Sequence, residues 1–108
     1  IAVGDGSKHI RLVRDSTAIN IGDADASNQI RSSSTSRPTS ANYDLDIAPV
    51  AGNFLDSPSS SSQLTYKLQT TLGSTYNSTI YINRSESNTN NDFHPKTAST
   101  ITVMEVLA

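Results

Sequence analysis

The chain has 108 residues, a formal net charge of −2 and a sequence pI near 5.5, so it has the length of one domain and no basic field for nucleic acid. No run of Lys or Arg suits an anionic membrane, and no stretch approaches the ~20 apolar residues of a membrane-inserted span. With no cysteine there is neither a disulfide framework nor thiolate chemistry. Leu, Ile, Val and Phe make 23 residues, which implies a thin core that association with other chains would reinforce. Ser and Thr make 30, whereas Lys and Glu have three and two copies, a bias toward strands and turns over surface helices.

In chain order, the first alternating segment is KHIRLVRD, where Ile10 and Leu12 share one face and Arg11 and Val13 the other. TAINIGD pairs Ile19 with Ile21 and predicts a turn at Gly22-Asp23. The polar stretch 24–41 reads either as a linker or as a short strand over 29–33 followed by a loop containing Pro38. NYDLDIAPV predicts a strand with Tyr43, Leu45 and Ile47 inward and Asn42, Asp44 and Asp46 outward, stopped by Pro49. GNFLDSPSSSS is a connector that Phe54 and Leu55 would pin to the core edge. QLTYKLQT alternates through Leu64, Tyr66 and Leu68 up to a turn near Gly73, and TIYINRS sets Ile80 and Ile82 opposite Tyr81 and Asn83. The expected core is Ile19, Ile21, Leu45, Ile47, Leu64, Tyr66, Leu68, Ile80 and Ile82.

The last segment, STITVMEVLA, begins to alternate and then stops: Ile101 and Val103 fall on one face, Met104 and Val106 on the other. Six or seven short strands between turn signals predict an all-β, antiparallel β-sandwich of jelly-roll type in a single domain, 1–108. A complete jelly roll has eight strands, so N-terminal strands are expected to be missing from this piece or borrowed from a neighbouring subunit. The chain begins IAVGDG without Met and reads as the C-terminal part of a longer polypeptide.

Catalytic patterns are absent: there is no G-x-S-x-G, no H-E-x-x-H and no phosphate-cradling glycine loop. His9 and His94 stand in no ligand spacing and read as solvated. Asp23, Asp25 and Ser27 begin like a calcium loop, but Asn28 and Ser34 occupy the positions that need Gly and Glu. Asp44 and Asp46 fit a wet strand face better than a cation site across a subunit contact. No enzyme activity, cofactor or metal is therefore expected. Asn77 and Asn83 begin glycosylation triplets, which chance explains in so Asn- and Ser-rich a chain. The long polar loops 85–96 and 24–41 are expected on the exposed side, with Asn88, Asn90, Asn91, Asp92 and His94 as candidate ligand contacts through their hydrogen-bonding groups.

Four blocks carry a resemblance: LVRDSTAINIGD, GNFLDSPSSSSQLTYKLQ, TIYINRS and TASTITVMEV, in that order. Together they resemble the jelly-roll-like C-terminal β-sandwich domains of virion surface proteins from marine and cyanobacterial phages and large algal viruses. The resemblance spans 10–106. Its members carry further Ser- and Thr-rich N-terminal strands that this chain lacks. It implies a homotrimeric structural module on the virion surface, outside the cell: a head decoration, head fibre or tail-fibre part. Its partners would be other capsid or tail proteins and a host-surface glycan. In such a trimer the strand carrying Ile101, Val103, Met104 and Val106 would have one face in its own core and the other against neighbours; a strand central in its own sandwich is the alternative. The competing functional reading is a carbohydrate-binding module of a secreted bacterial protein.

Overall fold

Strand β1 (Lys8–Arg14) runs through the middle of the sheet in the computed structural model, which describes residues 7–24, 28–36, 47–73 and 79–106. The other strands are β2 (Thr17–Ile19), β3 (Ser34–Ser36) and β4 (Tyr66–Leu72). All three pair antiparallel with β1. β4 matches its full length, from Lys8↔Leu72 to Arg14↔Tyr66. β2 takes residues 12–14 and β3 takes residues 8–10, so these two lie end to end along the opposite edge. The chain is all-β: the described residues contain no helix and one antiparallel sheet of four strands. They contain no second sheet that would complete a sandwich.

β1 and β2 form a hairpin with a two-residue loop, Asp15-Ser16. Asp15 sits at φ 53°, a left-handed conformation that Asp tolerates better than most residues. β2 ends at Ile19, and the next residue, Asn20, is also left-handed at φ 51°, two residues before the expected Gly22-Asp23 turn. The strand in the polar stretch is Ser34–Ser36, shifted from the expected 29–33.

Between β2 and β3 the edge of β1 has a gap, and the Ser33 hydroxyl fills it. It accepts from Leu12 N at 2.9 Å and donates to Ile19 O at 3.2 Å, while Ser33 N donates to Ile10 O at 2.7 Å. Arg11 Nε donates to Arg31 O, and Arg31 Nε to Gly22 O, tying the intervening loop to the sheet.

Antiparallel partners share a face, so Ile10 and Leu12 lie with Leu68, Thr70 and Ile19, whereas Val13 lies on the reverse with Ala18 and Lys67. The buried apolar residues among those described are Ile10 (4% exposed) and Val13 (2%), one on each face. The core is thus split across the sheet. Buried beside Ile10 on its face is Lys8, a charge that requires compensation wherever it leaves water.

Several expected core positions are not core. Leu68 is 56% exposed, because among the described residues β4 is an edge strand and none of them covers that position, and Ile82 is exposed outside any strand. Ile19, Ile21, Ile47, Leu64, Tyr66 and Ile80 are only half-buried. Phe54 and Leu55 do not join a buried core; both are exposed, Leu55 at 80%. Residues 79–85 and 99–106 are not strands, apart from isolated bridge residues. The expected strand through Tyr43 and Leu45, with Asp44 and Asp46, lies outside the described residues, as do Asp25, Ser27, Pro38 and Asn77.

Ile10→Ala should therefore cost about 2–5 kcal/mol. Leu68→Ala, at an exposed edge, should cost about 1 kcal/mol or less in the isolated chain. Urea unfolding followed by circular dichroism measures both; equal losses would contradict the split core.

Candidate functional site

Three places gather polar or apolar groups that the sheet itself does not use. The first is a clamp at the Asp15 end of β1. Arg14 Nη1 lies 2.8 Å from both carboxylate oxygens of Asp56, and Tyr66 OH donates to Asp56 Oδ2 at 2.9 Å. Arg14 and Tyr66 are register partners across β1 and β4, so their side chains emerge together and Asp56, from the connector, caps them. One residue on, Asp15 N donates to Thr65 O and Thr65 N donates to Asp15 Oδ1, each at 2.8 Å. The turn, the connector and the start of β4 are locked at one point.

Burial pushes the Asp56 carboxyl up, but the hydrogen bonds from Arg14 and Tyr66 and the Arg14 charge outweigh it, leaving the pKa below its ordinary value. The hydrogen bond to Asp56, with burial, raises that of Tyr66. The arrangement stabilises a carboxylate and a neutral phenol; it activates neither group as a nucleophile.

The second place is loop 85–96. Its ends are joined by the Arg84↔Lys96 bridge and by Thr97 N donating to Asn83 O at 2.9 Å, with Asn83 left-handed at φ 63°. Ser99 Oγ donates to Asn83 Oδ1, and the Arg84 guanidinium lies 4.3 Å over the Tyr81 ring. Inside the loop, Thr89 Oγ1 and His94 Nδ1 are 2.7 Å apart, and Asn91 Oδ1 accepts from Phe93 N at 2.9 Å. Asn91 and His94 therefore shape the loop, while Asn88, Asn90 and Asp92 face outward. Phe93, absent from the expected contacts, is 70% exposed beside them. An aromatic between polar residues has no periodic signal, which is why the alternation missed it. At the other end of the loop, Ser85 is buried and donates to Ser87 O.

The third place is the final segment. Ile101, Val103, Met104 (81%) and Val106 are all exposed in the single chain, and every described residue from 95 on is exposed. Among the described residues, 98–106 form no backbone hydrogen bond with the rest of the chain.

Among the described residues no three His, Cys, Asp or Glu side chains converge. His9 Nδ1 instead contacts Thr35 Oγ1 at 3.2 Å across the β1–β3 pair. The described residues include no helix long and apolar enough to cross a membrane. No protein-family model matches the chain, and no curated protein or solved structure matches it either.

The clamp makes stability depend on pH at both ends. The folded-state pKa of Asp56 lies below its unfolded value, so its contribution is full above about pH 4 and is lost as pH falls through the folded value. Tyr66 is shifted upward, so its contribution is full below about pH 10 and is lost as pH rises through the raised folded value. In urea titrations across pH, Asp56→Asn should flatten both limbs and Tyr66→Phe the alkaline limb. An unchanged profile in either variant would remove the clamp from the stability argument.

Proposed function

We propose that this chain is a structural module of a virion surface protein, acting in assembly and in adhesion to the host, with no catalytic role. The observation that carries this reading is exposed apolar surface: Ile101, Val103, Met104 and Val106, close together in one segment, are 53% to 81% exposed in the single chain. Apolar side chains gathered on a surface mark a contact with another chain. A polar sheet with a split core and a solvated apolar terminus is what a subunit looks like outside its assembly. The order of the four sequence blocks supports the phage-type reading, and a homotrimer on the particle surface, bound to other capsid or tail proteins, follows from it.

The carbohydrate-binding reading has one observation in its favour: Phe93 exposed among Asn88, Asn90 and Asp92, an apolar face beside hydrogen-bonding groups, as a sugar ring requires. The two readings meet if the loop is the adhesive part of the virion module.

Light scattering should show a trimer at micromolar concentration, and Met104→Asp should split it by placing carboxylates in a dry contact. A wild-type monomer would overturn the assembly reading. Antibody against the chain should label intact virus particles, and labelling restricted to secreted host protein would favour the alternative. Replacing Asn88, Asn90, Asp92 and Phe93 together with Ala should abolish host or glycan binding without changing oligomer mass. Asn91 and His94 are left in place because they hold the loop.

A further inference from the structure

The chain carries two complementary deficits. β4 pairs with β1 on one edge, and its other edge is open among the described residues, with 67–70 exposed. A seven-residue open edge is a template for another strand. The segment 100–106 is also seven residues long, exposed throughout and free of backbone pairing among the described residues. Among the described residues, β4 lacks a strand on that edge, and the segment 100–106 lacks a sheet.

We infer that residues 100–106 of one copy add as an antiparallel strand to the outer edge of β4 in a second copy. This rests on the assembly reading above and specifies its contact. Side-chain chemistry selects the register. Setting Glu105 opposite Lys67 brings Met104 opposite Leu68, Val106 opposite Tyr66 and Thr102 opposite Thr70. These are an ion pair, an apolar pair, an aromatic with a β-branched residue, and a Thr–Thr pair, the kinds of cross-strand contact that stabilise sheets. In that register all seven β4 residues find a partner. A slip of one residue would put Glu105 against Leu68 and Met104 against Gln69 in one direction, or Glu105 against Tyr66 and Met104 against Lys67 in the other. A parallel arrangement with Glu105 kept opposite Lys67 sets residues 100–103 ahead of the start of β4 and leaves Gln69 to Leu72 without a partner from the segment 100–106.

The pairing also resolves two exposures at once. Leu68 and Met104, open in the single chain, would cover each other. Each copy donates one segment and receives one, a head-to-tail contact that closes into a ring when the rotation between copies permits. Main-chain hydrogen bonds supply attachment and alternate side chains supply specificity, as in other strand-addition contacts.

The absence of native cysteine makes cross-linking a direct test. Chains carrying only Leu68→Cys are mixed with affinity-tagged chains carrying only Met104→Cys, exchanged by dilution and reconcentration, and oxidised. A mixed disulfide should form in at least tenfold excess over mixtures of Leu68→Cys with Val103→Cys, which projects to the other face. Lys67→Glu should weaken association about fivefold, and adding Glu105→Lys should restore it. A trimer by light scattering that yields no Leu68–Met104 cross-link overturns this pairing and leaves the assembly reading intact, whereas a monomer overturns both. An intrachain disulfide in the double-cysteine variant, formed at dilutions where only monomer exists, overturns the assignment of a second copy as the partner.

Discussion

Complete backbone pairing of β1 on both edges is the constraint on which the rest of this structure depends. Among the described residues the buried apolar side chains, Ile10 and Val13, lie on opposite faces and supply little burial to hold the sheet. The sheet persists because β4 occupies one edge of β1 over seven residues, and β2, Ser33 and β3 together occupy the other. Ser33 is central to this economy of contacts. Its hydroxyl stands where a ladder bond would otherwise be missing, so two three-residue strands serve β1 as one continuous neighbour. An unmade hydrogen bond at that position would leave a partly buried amide at Leu12 unsatisfied, which costs more than a made one contributes.

Register poses a second problem with a polar solution. In most sheets a buried apolar face forbids slippage, because a one-residue shift turns that face to water. β4 offers little such protection: Tyr66, Leu68, Thr70 and Leu72 alternate with Lys67, Gln69 and Thr71, and its middle is exposed. The reciprocal Asp15–Thr65 bonds and the Arg14–Asp56–Tyr66 clamp sit at the one end of the β1–β4 pair where the chain enters β4. Both depend on residues brought from far along the sequence, and both fit only one alignment.

Alternation in the sequence was enough to find β1 and β4, the all-β class and the apolar terminus. It misjudged burial, because period two reports that a residue lies on a face, and whether that face is covered depends on a second layer the alternation cannot see. Leu68 failed for this reason, whereas Ile82 lies in no strand at all. β3 was displaced because Ser-Thr-Ser has no pattern of its own; its place is set by pairing with Lys8, His9 and Ile10. Asp56 had no local signal at all, being one acid in a serine-rich connector with partners 42 and 10 residues away. Of the loop residues, composition identified the exposed Asn88, Asn90 and Asp92, but it could not separate them from Asn91 and His94, whose roles are internal.

The distance between β1 and β4 along the chain bears on the order in which the molecule folds. A hairpin closed by two residues, like β1–β2, forms in about 1–10 μs. The Asp15–Thr65 contact closes a separation of 50 residues, and each tenfold increase in loop length costs about 2 kcal/mol more in chain entropy. β4 is thus the late arrival, and the Arg14–Asp56–Tyr66 clamp is a latch that engages once the long excursion has returned. Until then β1 has one bare edge, and charged side chains such as Arg11 and Arg14 on such a strand discourage pairing with another copy of itself.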